Sequence, residues 1–460
     1  MHRGGQAAGF HPVNTTHQFR TGEDGMFGLG RRRHSMLVGD QCVSELGRVP
    51  GNGSDPRRIA HFSDTYLPRR CGVGTSLRTL STALTNTGCD CLSVVPRHPQ
   101  LPTAPGLLQL PAIPTGLLGL RLAWPSRRHV AVIVDWRPDL VHIHTPGPIG
   151  LIGVLTARLL NVPIVHTYHT DLHGQATANR VPVTPLRLGL RLYAHQLRVP
   201  LPPVAGGLDA VIDAANGLLV HDADAVVIPC MSILKRVTLP VPAERISCVP
   251  TGLAPLPVTP DSAVDFRKRY GIPCTDRLVL FVGRVSPEKN MDLLVTAFRH
   301  VLARLPDTRL VLVGLINGWR WLRDMSASVA DRVTAIGQQP ATTVAAAYAA
   351  ADVFAFPSLT DTQGLTHQEA ALAGVPTVLA DLELHKYGPL AGATAYAEPN
   401  PDTYAEVLLR LLTNPAEARA LGEKARRRAR SHTPSRYAND MREIYALAAR
   451  RRAQSDAQRT

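Results

Sequence analysis

Short apolar runs rich in β-branched residues alternate along this chain with stretches whose leucines recur every three or four positions. That is the pattern of strands alternating with helices. Arg58 to Phe62 predicts a strand, and Leu77, Leu80 and Leu84 place one apolar face on a helix over 74–85. Cys91, Leu92, Val94 and Val95 predict the next strand. Asp139 to His144 and Pro163 to His169 predict two more, joined by a helix over 149–160. A Pro- and Gly-containing hinge at 250–255 interrupts the series. It then resumes with strands at 278–282, 310–313, 333–336, 353–356 and 377–379. The helices between them include one carrying Met291, Leu294, Val295 and Phe298, and others over 343–351 and 365–373. Helices at 402–413, 415–430 and 436–450 close the chain. Strand–helix repetition of this kind builds parallel sheets covered on both faces, so the expected class is α/β.

The expected boundaries are 57–251 for a first domain and 252–434 for a second, with a helix at 435–450. Residues 1–56 are rich in Gly, Arg and His without a sustained period, and a disordered extension is expected there, as for 451–460. Residues 99–128, rich in Pro and Leu, read as a long loop.

At 460 residues the chain is long enough for two such domains. The formal net charge of +14 favours anionic partners, but no nucleic-acid module or aromatic platform accompanies it, so nucleic acid is not an expected partner. Seven scattered cysteines form neither a disulfide framework nor a paired zinc pattern. No apolar run is long enough to span a bilayer and no secretory leader is evident, so a cytoplasmic location is expected.

Three stretches carry candidate chemistry. In the first, Phe356 ends a strand, a polar turn holds Asp361 and Gly364, and a helix from Leu365 carries Glu369. The free N–H groups of such a helix mouth accept an anion. The plain alternative is an ordinary strand–helix corner with solvated acids. The second is Gly283, Arg284, Glu288 and Lys289, two cations between a strand end and a helix start, which suit a diphosphate. The alternative is a turn tied by an Arg284–Glu288 ion pair. The third is a set of His142, His144, His166, His169, Asp171 and His173, whose residue types would suit zinc in a metallohydrolase. Gly72-Val73-Gly74 is a weaker phosphate-type turn. Asp222 and Asp224 read as the polar lead-in to a strand rather than as metal ligands. From 182 to 203, Arg187, Arg191 and Arg198 lie near one helix face and Leu190, Tyr193 and Leu197 near another. Such an element either lies on anionic membrane or packs as a surface helix.

Pro357-Ser358, Asp361, Gly364-Leu365 and Glu369-Ala370 together resemble the donor-binding signature of retaining GT-B glycosyltransferases of glycosyltransferase family 4. Gly283-Arg284 with Glu288-Lys289 resembles the same family's diphosphate signature. The resemblance covers roughly residues 58 to 450 and implies two Rossmann-like domains facing across a cleft, the final helix crossing back to the first. It implies hexose transfer from a nucleotide-diphosphate sugar to a hydroxyl with retention, without metal or other cofactor. The donor would be held by Gly72, Gly283, Arg284, Lys289, Asp361, the peptides of Thr362, Gln363, Gly364 and Leu365, and Glu369 on the ribose. His169, Arg284, Lys289 and Asp361 would be catalytic, and Gly72 and Asp171 would face the acceptor. Asp361 stands where the family usually has Glu, one methylene longer. Thr362 to Thr366 and Tyr168 to Asp171 are reminiscent of the branch that glycosylates diacylglycerol, including the sulfolipid synthases. That favours a lipid acceptor and peripheral contact at the inner face of the plasma membrane. The second function class is a catalytically silent GT-B protein that binds nucleotide sugar or membrane.

Overall fold

The computed structural model describes residues 55–69, 71–115, 121–123, 127–178, 181–201, 204, 206–316, 318, 322–324 and 327–458. All but the last two residues of the expected extension at 1–56 lie outside them. The first half forms a parallel sheet from β1 (Arg58–Phe62), β2 (Asp90–Pro96), β3 (Leu107–Leu110), and, after a small antiparallel pair β4 (Ala112–Pro114) and β5 (Arg121–Ala123), β6 (Leu140–Ile143), β7 (Ile164–Thr167), β8 (Ala225–Ile228) and β9 (Ile246–Cys248). Its order is β3-β2-β1-β6-β7-β8-β9. The second half repeats the plan with β10 (Arg277–Val282), β11 (Thr308–Val313), β12 (Val333–Gly337), β13 (Val353–Phe356), β14 (Thr377–Leu379) and β15 (Ala395–Tyr396), ordered β12-β11-β10-β13-β14-β15.

This order matters for the site. In each sheet the first strand has its successor on one side and a later strand on the other. The chain therefore leaves in opposite directions between β1 and β6, and between β10 and β13. Loops at the carboxyl ends of such strands diverge and open a crevice where ligands bind. The stretches flagged in the sequence, Gly283 to Lys289 and Pro357 to Gly364, follow β10 and β13.

The expected loop at 99–128 is corrected: it contains β3, β4 and β5, and a helix Arg127–Trp136 starts at its end. β3 is an edge strand and prolines flank it, which hid its periodicity. The disordered tail expected from residue 451 is also corrected, because the last helix runs Pro434–Ala457. It packs on the first sheet through Tyr437, Ala438, Met441, Tyr445 and Ala448, against Ile59, Leu80, Leu84 and Val165. Its end is fastened where Arg452 reaches Asp224 at 2.8 Å, while Asp222 pairs with Arg158 at 2.8 Å. Both acids of that pair are thus structural. The 182–203 element is a helix Val183–Leu197 that buries Leu190, Ala194 and Leu197 and leaves Leu188 and Leu192 exposed. Among the described residues no helix is long and apolar enough to cross a membrane.

Candidate functional site

Two helix N-termini meet at the gap between the sheets. Gly72 is the first residue of helix Gly72–Asn86, and Leu365 is the first of helix Leu365–Ala373. A Cβ placed on Gly72 would lie 3.8 Å from the Leu365 side chain. Neither helix has an acid in its first turn, so the partial positive charge of both mouths is directed at the same place. The Leu365 helix starts there because Gly364 has φ +69°, and a Cβ on it would come within 2.6 Å of His367 Nδ1.

The wall contributed by the second sheet holds Arg284 and Lys289. Arg284 Nε lies 2.8 Å from Glu288 Oε1, the ion pair foreseen as the plain alternative. Lys289 Nζ donates to Asp361 Oδ2 at 2.7 Å. Burial alone would raise the Asp361 carboxyl, but the Lys289 ammonium beside it outweighs that and holds it below the usual carboxylate range. Asp361 is therefore ionised, and this wall carries cations already balanced by acids. Close backbone approach behind it depends on Gly314: at φ +140°, a Cβ there would stand 1.8 Å from Gly283 O. Glu369 Oε2 accepts from the Tyr348 hydroxyl at 3.0 Å.

Of the remaining predicted residues, Gln363 turns its side chain away from the gap. Its amide donates to Thr251 O at 3.1 Å and accepts from Thr251 N at 3.0 Å, locking the hinge to the second domain. Thr362 crosses instead to the first domain, its hydroxyl donating to the His169 carbonyl at 2.7 Å. His169 thus stands over the 361–365 loop. Asp171 accepts from Gly174 N at 2.9 Å, as cap of helix Leu172–Ala178, and lies 3.9 Å from Arg236 Nη1. A cavity of about 420 Å³ lies between the loop after β1, including Tyr66 and Arg69, and Leu315, Ile316 and Gln338 of the second domain. Neither Gly72 nor Asp171, the two residues assigned to the acceptor, lines it.

Arg69 is a residue that sequence reasoning missed. It lines this cavity, and no carboxylate among the described residues pairs with it. Burial lowers its pKa, an effect that Cys71 opposes and the like charge of Arg284 reinforces. An unpaired cation facing another cation in a gap is a demand for an anion. The signal was available: Arg69 and Arg70 immediately precede the Gly72 turn.

The histidine set divides. His142 and His144 share a face as alternation requires, with ring centroids 4.0 Å apart, and His61 of β1, not foreseen, joins them. His169 reaches His144, with 3.1 Å between His169 Nε2 and His144 Nδ1. His173 is elsewhere, against Asp213 at 2.9 Å, and His166 Nδ1 is buried without a hydrogen bond. Nitrogens of His61, His142 and His144 lie within 4.8 Å of one another, but the donor set does not suit a metallohydrolase. Both His142 nitrogens are engaged, by the Tyr445 hydroxyl at 2.8 Å and Thr167 Oγ1 at 2.7 Å, and Asp171 is occupied as a cap.

The Glycosyltransferase Family 4 profile matches residues 71–255, and the Glycosyl transferases group 1 profile matches residues 264–428. The chain is 26% identical over 340 residues to an alpha-monoglucosyldiacylglycerol synthase of Streptococcus pneumoniae, covering 70% of each chain. It is 28% identical over 338 residues to a GDP-mannose-dependent alpha-mannosyltransferase of Mycolicibacterium smegmatis, covering 70% of this chain and 80% of that one. The fold resembles that of sucrose-phosphate synthase from Thermosynechococcus elongatus, with a TM-score of 0.62 and 21% identity over 84% of this chain and 98% of that one.

Proposed function

We propose a retaining hexosyl transfer from a nucleotide-diphosphate sugar for this chain, which belongs to the GT-B glycosyltransferases of group 1 and family 4. The observation that carries the reading is the meeting of two helix N-termini, with Lys289 paired to Asp361 in the loop that leads into the second of them and Arg69 near enough to Arg284 to feel its charge. A diphosphate is the ligand whose charge and size answer that arrangement. Lys289 exchanges Asp361 for a phosphate oxygen when the donor enters, and Arg284 and Arg69 flank the leaving group. Charge gathering on the departing diphosphate is stabilised by dipoles and cations already in place, a term of about 3 kcal/mol per donor. Asp361, released from Lys289, accepts from the sugar hydroxyls, the peptide N–H groups of Thr362 to Leu365 donate to them, and Glu369 accepts from the ribose. Without a side chain placed as covalent nucleophile, the acceptor oxygen attacks the anomeric carbon on the face the diphosphate leaves. Its C–O bond forms as the sugar–phosphate bond breaks, and the acceptor proton passes to a diphosphate oxygen. No metal or other cofactor enters this scheme.

The acceptor proposed is a hydroxyl lipid such as diacylglycerol, by analogy with the synthase of Streptococcus pneumoniae. Exposed Leu188 and Leu192, beside Arg187 and Arg191, suit peripheral contact with an anionic surface at the cytoplasmic face of the plasma membrane. Radiolabelled UDP- and GDP-hexoses, offered with diacylglycerol vesicles, test the whole reading. Transfer of label to an α-linked, solvent-extractable product is expected. Binding of nucleotide sugar without transfer or hydrolysis would instead establish the catalytically silent protein, which the Asp at 361 favours.

A further inference from the structure

His169 does not stand alone at the lip of the gap. Its Nε2 lies 3.1 Å from His144 Nδ1, and His144 Nε2 lies 3.1 Å from His61 Nδ1. The column runs from the half-buried His169 to the centre of the first sheet, where His61 is 0% and His144 2% exposed. At the far end His61 Nε2 is buried without a partner. His142, beside the column, is committed to Tyr445 and Thr167 and takes no part in it.

A neutral imidazole carries one proton on one nitrogen, so each link needs one donor and one acceptor. Burial keeps all three rings neutral, His61 and His169 being pushed down to about 3. Only two arrangements then satisfy both links. In one, protons point inward: His169 Nε2–H to His144, His144 Nε2–H to His61, and His61 is left with an orphaned, buried Nε2–H. In the other, protons point outward: His61 Nδ1–H to His144 Nε2, and His144 Nδ1–H to His169 Nε2. That leaves a bare lone pair at His61 Nε2 and a proton on His169 Nδ1. Orphaned buried N–H groups are the rarer and costlier of the two defects.

We infer that His61 and His144 are positioning residues that hold His169 as its Nδ1–H tautomer, so that the ring offers a hydrogen-bond donor to the hexose. The inference rests on the transfer reading for its purpose, but not for its tautomer. A neutral histidine in the opposite form would present only a lone pair at that atom, and the orientation of a triad histidine by its buried neighbour is the closest chemical analogy. His61 and His144 also form a three-nitrogen cluster with His142, so bound zinc is the competing occupant.

Long-range proton–nitrogen correlation spectra of the full chain with isotope-labelled histidine test this, the His169 signals being assigned by their loss in His169→Asn. Protonated Nδ1 and bare Nε2 are expected at neutral pH, whereas protonated Nε2 on His169 would overturn the inference. Stoichiometric zinc with metal-shifted histidine signals would overturn it too. In the second arm, His61→Leu breaks the column while His61→Asn can still donate to His144 Nε2. His61→Leu is expected to lower kcat about tenfold with the donor KM little changed, and His61→Asn to recover much of that loss. Equal kcat in His61→Leu and wild type would overturn the positioning role. An Nδ1-protonated His169 in a protein that transfers no sugar would leave the tautomer standing and remove the proposed function.

Discussion

The two sheets share one plan and differ in what their strands bury. β10, β11 and β13 of the second sheet fill their interiors with Leu278, Leu280, Val311, Phe354 and similar residues, and their chemistry begins only past the last strand residue. β1, β6 and β7 of the first sheet bury His61, His142, His166 and Thr167 within the strands themselves. A parallel sheet covered on both faces is ordinarily an unbroken apolar run. Buried imidazoles carry a desolvation cost and are kept only where partners or function answer for them. The second domain therefore separates scaffold from site, whereas in the first the scaffold reaches into the site through hydrogen bonds.

The strongest test of this contrast removes a charge from the loop side. Lys289→Ala leaves the second sheet's apolar core untouched, yet it deletes a cation proposed to hold the diphosphate and leaves the partly buried Asp361 without its ion-pair partner. We expect affinity for nucleoside diphosphate, measured by calorimetry, to fall about 10²-fold to 10³-fold, with a modestly lower melting temperature because Asp361 has lost its counter-ion. Unchanged nucleotide affinity would place the diphosphate elsewhere and break the assignment of chemistry to these loops.

Next in size is a steric test of the same wall. Gly314→Ala puts a Cβ at 1.8 Å from the Gly283 carbonyl, at a φ that alanine disfavours. Backbone cannot yield there as a flexible side chain would, so a loss of about 3 kcal/mol in stability is expected from denaturant unfolding, together with weaker nucleotide binding. A neutral outcome would show that the loop after β11 is looser than the close-packed sheet behind it.

These two loops were also the most legible part of the sequence. Gly283, Arg284 and Lys289 lie within seven consecutive residues, and Asp361 to Glu369 within nine, so their seats on a strand end and a helix mouth were legible locally, while the roles proposed for them came from the family resemblance. The first domain was harder because its site is assembled from distant segments. Tyr445, which fixes His142, is 303 residues from it, and His61 meets His144 across 83. No local period carries that information. The use of Gln363 as a lock on Thr251 was hidden for the same reason, since its partner is 112 residues away. Strand β3 escaped because an edge strand flanked by prolines has little alternation to show.

The first sheet gives a test that the second cannot. Burial lowers His61 and His169 to about 3 and His166 to about 4, with His142 and His144 also well below an ordinary histidine. In the unfolded chain these rings titrate near 6.5, so below that pH the unfolded state binds more protons. Stability contributed by keeping them neutral is complete above about pH 6.5 and is lost progressively as pH falls toward 4. Melting temperature should therefore decline steadily over that interval, and His61→Leu should decline less steeply than wild type. A flat profile would mean that the imidazoles are solvated, which would remove the contrast between the sheets.

The smallest expected effect lies where the two regions touch. Thr362 Oγ1 donates to the carbonyl of His169, so a hydroxyl from the second domain's loop holds the backbone of the first domain's column. Thr362→Val keeps the shape and removes one hydrogen bond. A cost of about 1 kcal/mol, or about fivefold in kcat/KM, is expected, with little change in melting temperature because neither core is altered. If the loss instead matches that of Lys289→Ala, docking of His169 over the loop, rather than charge on the second wall, limits the reaction. The order of these two effects decides which half of the molecule sets the rate: a chemistry confined to loops predicts that the charge dominates, and a column that must be seated before transfer predicts the reverse.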